Sequence, residues 1–328
     1  MGRPIFEVIQ QGVFTSIQDL GRKGYFAVGI PPSGAMDRFA LRMGNLLVKN
    51  PLGEAGMEVT ALGVKLRALE NTVIALTGGD FDAKINGRSI PCWQTIGVRR
   101  GDILSMGEVK AGWRGYICIA GGIDVPVVLG SKSTYLTGAL GGVRGRLIRK
   151  GDVLEAGEPR VPLESLKGRK VKGHVLPQLK GEKKLRVILG PQDDHVKDES
   201  IQIFLRSPYR ASIHSNRIGY RFEGPQLYFE ERPGTQLGGS NPSNIVDDGN
   251  AIGAIQIPGG KEPICLGPDG VSMGGYVKIA CLITADMDRM AQLRLRENIQ
   301  FQSVTIPEAR LALEDSLHRV SESNIGTE

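Results

Sequence analysis

The chain has 328 residues, 41% hydrophobic and 23% charged, which excludes a disordered or fibrous polypeptide and leaves room for two domains of ordinary size. Its net charge of +6 comes with only 5% aromatic residues, and much of the basic excess lies between Gly157 and Lys184. With no helix-turn-helix or finger spacing, nucleic-acid binding is disfavoured.

The 45 glycines are about twice the usual ~7% share and show no collagen period, so they predict many tight turns between short strands. In chain order, β-type runs are expected at Lys65 to Leu69, Thr72 to Thr77, Ile96 to Arg99, Gly115 to Ala120 and Arg146 to Ile148. Asn86-Gly87, between two short alternating runs, predicts a tight hairpin. One helix interrupts them: Met36, Phe39, Ala40, Met43, Leu46 and Leu47 recur at helical spacing, with Asp37, Arg38, Arg42 and Asn45 on other faces. Arg99 to Leu104 returns in similar form as Arg149 to Leu154, a Gly-Asp turn feeding a strand. Residues 1–157 therefore read as one β-rich domain and 158–184 as a basic linker rich in Pro and Gly. Residues 185–306 read as a second β-rich domain with a short helix around Asp286 to Leu293, and 307–328 as a terminal helix and tail.

Met1 to Gln10 lacks the features of a signal peptide and no run of eighteen apolar residues occurs, which predicts a cytoplasmic chain. Cys92, Cys118, Cys265 and Cys281 lack C-x-x-C spacing and three lie in apolar runs, so buried thiols are expected. The four histidines are too scattered for a metal motif. No P-loop pattern and no Ala-Met-Lys-Met biotinylation site occurs. Gly270-Val271-Ser272-Met273-Gly274 satisfies G-x-S-x-G, but a nucleophile elbow needs a helix directly after its serine, and the residues that follow read as a strand.

The segment with most chemistry is Gln18-Asp19-Leu20-Gly21-Arg22-Lys23-Gly24-Tyr25, followed by Gly29-Ile30-Pro31-Pro32-Ser33-Gly34-Ala35-Met36-Asp37. It is a polar, glycine-rich loop that delivers an Asp, an Arg and a Ser to the start of the helix. Free backbone N–H groups and the helix dipole favour an anion there, such as a carboxylate or a developing oxyanion. A structural loop held by its own hydrogen bonds reads equally well from the residues alone.

This segment resembles the Q-D-x-G-R-x-G…G-[VI]-P-x-S-G-x-M-D signature of the biotin-dependent carboxyltransferase family, which joins the C component of bacterial 5-oxoprolinase, the regulator KipA and the carboxyltransferase domain of urea carboxylase (allophanate hydrolase subunit 2-like). Further similarity runs through Glu58-Val59-Thr60, Thr77 to Asp80, Ala120 to Pro126, Leu129 to Thr134, Gly141-Gly142 before Gly145-Arg146, Gly190-Pro191-Gln192, Ser215 to Gly224, Gly253 to Pro258 and Gly274-Gly275-Tyr276 with Lys278-Ile279-Ala280. Two departures bear on substrate. Asp269 to Met273 replaces the D-x-Q-T-T of members that resemble the 5-oxoprolinase component, and Val277 stands where proline is usual. Pro242 to Asp248 and Gly267 to Gly270 look more like urea carboxylase.

The resemblance implies a mainly β fold of two linked cyclophilin-like β-barrel domains with a few short helices. It implies a C-type component of an ATP-dependent 5-oxoprolinase, which opens 5-oxo-L-proline to L-glutamate. B-like (KipI-like) and A-like (LamB/YcsF-like) partner proteins would act with it, ATP being used by the complex and the chain inactive alone. Two alternatives accompany it: a carboxyltransferase component of a urea or amide carboxylase, served by carboxybiotin on a separate carrier, and a non-enzymatic KipA-like regulator binding a KipI-like kinase inhibitor. By residue type and motif position, Asp19, Arg22, Asp37 and Lys278 are the catalytic candidates, and Gln18, Ser33, Gly34, Asn216, Arg217 and Asp269 the substrate-binding candidates. Structural alternatives stay open for each: Asp37 as a helix cap, Arg217 as an ion-pair partner.

Overall fold

A computed structural model describes residues 2–181, 183–231 and 241–327. The chain is mainly β and divides into two compact units, one built from residues up to 23, 33–180 and from 316 onward, the other from 24–32 and 181–315.

The first unit contains two large antiparallel sheets. One has seven strands in the order Ile123–Asp124, Val153–Ala156, Arg3–Gln10, Lys65–Ala68, Ile103–Ser105, Lys84–Ile85, Arg88–Ser89; the other has five, in the order Phe14–Gln18, Gly56–Thr60, Ala111–Ile119, Thr72–Asp80, Thr95–Val98. Side chains alternate across a strand, and the central strands of the five-stranded sheet use both faces. Ile74, Leu76, Ile117 and Ile119 join the core with Ile5, Phe6, Leu66 and Phe81, whereas Val73, Ala75, Tyr116 and Cys118 face helix α1 (Arg38–Leu47). That is why Thr72–Asp80 is buried almost throughout, while the one-sided strand Lys65–Ala68 alternates, exposing Lys65 and Arg67.

Helix α1 lays Phe39, Ala40, Met43 and Leu47 on this sheet, each large side chain contributing about 1.5–3 kcal/mol by burial. Gly44 allows the close approach: a Cβ there would lie 2.6 Å from Cys118 Sγ. At the expected hairpin, Asn86 and Gly87 take φ of 51° and 80°, the paired positive values of a type I′ turn.

The stretch read as a basic linker includes a short strand, Arg169–Val171, and packs apolar side chains on the first unit. Leu166, Val171 and Val175 are buried beside α1, and Arg169–Val171 pairs antiparallel with Ile325–Thr327 from the tail. The Arg169 guanidinium donates to the carbonyls of Leu46 and Leu47 at 2.9 and 2.8 Å, placing a cation where the last carbonyls of α1 need donors. Met1, Glu182 and Glu328, which fall within the expected domain, linker and tail, lie outside the described residues.

The second unit holds a closed barrel in the order Lys183–Leu189, Lys278–Leu282, Ala254–Gln256, Ile264–Leu266, Gly219–Glu223, Pro208–Ala211, Asn298–Ser303. Parallel pairing of Lys183–Leu189 with Asn298–Ser303 completes the ring. Phe301 is central to its packing, stacked on Phe204 of α2 (Asp198–Arg206) with centroids 4.5 Å apart and set edge-on to Phe222 at 5.3 Å. Helices α3 (Met287–Ala291) and α4 (Ile306–His318) follow where helices were expected. A two-stranded ribbon, Asn244–Gly249 with Met273–Tyr276, is paired apart from the barrel. Because strands follow Ser272, the elbow turn a serine nucleophile needs is absent there. No helix among the described residues is long and apolar enough to cross a membrane.

Candidate active site

In the first unit the polar loop is held by its own carboxylate. Gln18 ends the strand Phe14–Gln18, and the chain then turns so that Asp19 accepts from the N–H of Gly21 and Lys132 and the hydroxyl of Ser131, each at 2.7 Å, and from the hydroxyl of Ser133. With four donors on two oxygens, Asp19 clamps loop 18–22 to loop 131–133. Arg22, 1% exposed, donates through Nη2 to the Ser133 carbonyl, and Gly141 leaves it room: a Cβ there would sit 3.1 Å from Nη2. Gly34 is needed for similar reasons. Its φ is 88°, and a Cβ would lie 2.7 Å from the Gly21 nitrogen, so no other residue lets Ala35 N–H reach the Asp19 carbonyl at 2.8 Å.

Gln18 and Ser33 each carry a buried polar atom with no hydrogen-bond partner among the described residues. Gln18 spends its amide nitrogen on Ser16 Oγ and the Thr134 carbonyl and leaves Oε1 unsatisfied, and Ser33 Oγ is likewise unsatisfied. Both side chains are at most 1% exposed. A buried polar atom without a partner costs ~1–3 kcal/mol, so each of these two atoms calls for bound water or another polar group beside it.

Asp37 caps α1, its Oδ1 accepting from the Ala40 N–H at 2.8 Å. A residue not foreseen as part of the site holds this corner in place. Glu58, fully buried in the strand Gly56–Thr60, accepts at Oε2 from the Tyr116 hydroxyl at 2.6 Å and the Met36 N–H at 2.8 Å. Tyr116 Oη in turn accepts from the Asp37 N–H at 2.8 Å. Burial, with the Glu58 and Asp37 carboxylates beside it, raises the Tyr116 phenol well above its ordinary value, so it remains a donor. The signal in the sequence was the Glu itself, a charge inside Gly-Met-Glu-Val-Thr.

The second unit contains the remaining candidates. Lys278, 1% exposed, donates from Nζ to Asp248 Oδ2 at 2.9 Å. Arg217 and Asp269 grip each other through two hydrogen bonds, at 2.9 and 3.1 Å. Asn216 is exposed and folds its Oδ1 back onto the N–H groups of Ile218 and Gly219 at 2.8 and 3.2 Å, a side-chain turn. The structure thus gathers Gln18, Asp19, Arg22, Ser33, Gly34 and Asp37 in one loop cluster and joins Arg217 to Asp269. It gives Lys278 two neighbours that sequence reasoning had not singled out, Asp248 and Gln192.

The family model for the carboxyltransferase domain, subdomains A and B, matches residues 28–303. The chain belongs to that family. It is 33% identical over 311 residues to the C component of 5-oxoprolinase from Escherichia coli (strain K12), covering 95% of each chain, and 36% identical over 315 residues to the urea amidolyase of Lachancea kluyveri, covering 93% of this chain and 17% of that one. The crystal structure of the K. lactis urea amidolyase matches with a TM-score of 0.91 at 34% identity, covering 99% of this chain and 21% of that chain. The chain therefore spans only about a fifth of the urea amidolyases it matches and nearly the whole of a 5-oxoprolinase C component.

Proposed function

We propose that this carboxyltransferase-family chain is the C-type component of an ATP-dependent 5-oxoprolinase, converting 5-oxo-L-proline to L-glutamate with A- and B-like partner proteins in the cytoplasm. The reading is carried by the correspondence with the 5-oxoprolinase C component over 95% of both chains. The geometry of the first unit is consistent with amide recognition. A lactam presents an N–H donor and a carbonyl acceptor, and Gln18 Oε1 and Ser33 Oγ are atoms of complementary type. Opening the ring by water forms a C–O bond and breaks the C–N bond; it puts negative charge on the amide oxygen and needs a base that takes the proton of the attacking water and returns it to the departing nitrogen. Arg22 is assigned to the first task and Asp37, as the base, to the second. Asp19, whose lone pairs are already committed to four donors, is an orienter, and Gly34 lets the loop close. Lys278 is assigned a catalytic role in the second unit, with Asn216, Arg217 and Asp269 serving substrate binding. ATP is used by the assembled complex.

A second reading, carboxyl transfer to urea or another amide, is favoured by the 0.91 TM-score against urea amidolyase. Carboxybiotin on a separate carrier would supply the carboxyl group, and its ureido ring and urea both present the N–H and carbonyl pair that Gln18 and Ser33 suit. Co-expression with the A- and B-like partners, followed by assay of ATP-dependent glutamate formation with each protein omitted in turn, separates the readings. Turnover that needs all three supports the first. A stable complex without turnover contradicts it and directs the test to a biotin carboxylase and carrier, or to KipA-like regulation.

A further inference from the structure

We infer that the second unit holds a binding position for a small carboxylate at Lys278 and Gln192, and that Asp248 of the chain's own ribbon occupies it when no ligand is bound. The two donors are fixed. Lys278 opens the barrel strand Lys278–Leu282, and it is bonded to Gln192 in both directions: Gln192 N–H donates to the Lys278 carbonyl, and Lys278 N–H to Gln192 Oε1, each at 3.1 Å. The Gln192 carboxamide is thereby oriented, and its Nε2 and the Lys278 ammonium converge on one atom, Asp248 Oδ2, at 3.2 and 2.9 Å. A charged and a neutral donor meeting at one carboxylate oxygen form a carboxylate grip whatever molecule supplies the oxygen.

The acceptor has a different character. Asp248 is 50% exposed whereas Lys278 is 1% exposed. It stands on the two-stranded ribbon rather than in the barrel wall, where pairing is irregular between Asn244 and Asp248. An ammonium buried this deeply is costly to leave without a counter-ion, so a ligand carboxylate and Asp248 exchange for the same two donors and charge balance is kept. The ligand class is a small monocarboxylate. 5-Oxo-L-proline belongs to it, and the inference rests on the 5-oxoprolinase reading for the identity of the ligand alone.

The exchange predicts a gain of affinity on removing a side chain. Calorimetric titration of the full chain would compare 5-oxo-L-proline, acetate and 2-pyrrolidinone, which keeps the ring and lacks the carboxylate. Asp248→Asn should bind both carboxylates at least tenfold more tightly than the parent chain and leave 2-pyrrolidinone unchanged. Lys278→Met should abolish carboxylate binding, and the adjacent Asp247→Asn should behave as the parent. Asp248→Ser, which shortens the competing side chain and removes its charge, should give the same gain and serves if Asp248→Asn does not fold. Carboxylate affinity that is unchanged or lower in the folded Asp248 variant overturns the inference. A gain for acetate without one for 5-oxo-L-proline upholds the carboxylate position and counts against the 5-oxoprolinase reading.

Discussion

Arg217 and Asp269 face each other as a two-pronged ion pair, Nε to Oδ2 at 2.9 Å and Nη2 to Oδ1 at 3.1 Å, with both side chains no more than 7% exposed. Such a pair need not add much net stability, but deleting one member strands the other charge. Asp269→Ala should therefore destabilise the chain by about 3–5 kcal/mol, read as a shift in the urea midpoint. A change below ~1 kcal/mol would show that the pair is open to water and not a closed, buried one.

The Tyr116 hydroxyl joins the Glu58 carboxylate to the backbone at Asp37. Tyr116→Phe removes a buried donor from a carboxylate and a buried acceptor from an N–H group, so it should cost about 1–3 kcal/mol for each group left unsatisfied. Thermal unfolding measures it. Unchanged stability would mean that the α1 N-terminus does not depend on the Tyr116 hydroxyl.

The cysteines should be inert. Burial pushes the Cys92 thiol up to about 11 and raises Cys118, Cys265 and Cys281 as well, so at pH 8 the reactive thiolate is scarce. Iodoacetamide should label the native chain slowly and the urea-unfolded chain rapidly at all four positions. Fast native labelling at Cys92 would contradict the burial account.

Acid sensitivity should be visible at Asp152, which accepts from Arg146 Nη1 and Nη2 at 2.7 and 2.9 Å and from the Arg149 N–H at 2.7 Å. The hydrogen bonds from Arg146, foremost, hold its carboxyl below the ordinary 3.8. A group depressed on folding contributes fully above its unfolded value and loses that contribution as pH falls through the folded one. The stability difference between the parent and Asp152→Asn should stay level from pH 7 to pH 5 and shrink only below about pH 4. Shrinkage already at pH 6 would mean that another group is responsible.

Much of this architecture was legible because local signals agreed with it: helical spacing announced α1, and Asn86-Gly87 announced its hairpin. Helix α2 was not, since Ile201, Ile203 and Leu205 alternate as in a strand, and the helix shows instead in Asp198 and Glu199 at its start and Arg206 at its end, which complement the dipole. Arg146 to Ile148, expected as a strand, forms none; Ile148 is buried and only its N–H reaches the Thr15 carbonyl. The candidate residues were legible by type, but their partners were not. Asp19 is bonded to residues 112 to 114 positions away, and Lys278 to residues 30 and 86 positions away. Such pairings are set by sheet and barrel closure, which local spacing does not encode.

The most direct test of the loop as the working site is Asp37→Ser in an assembled complex with the A- and B-like partners, because serine keeps the helix cap while removing the carboxylate. If the Asp37 carboxylate works in catalysis, the melting temperature stays close to that of the parent and ATP-dependent glutamate formation falls at least ~100-fold, the scale of a missing acid–base group. Parental turnover with an intact cap would confine Asp37 to a structural role and place the chemistry elsewhere.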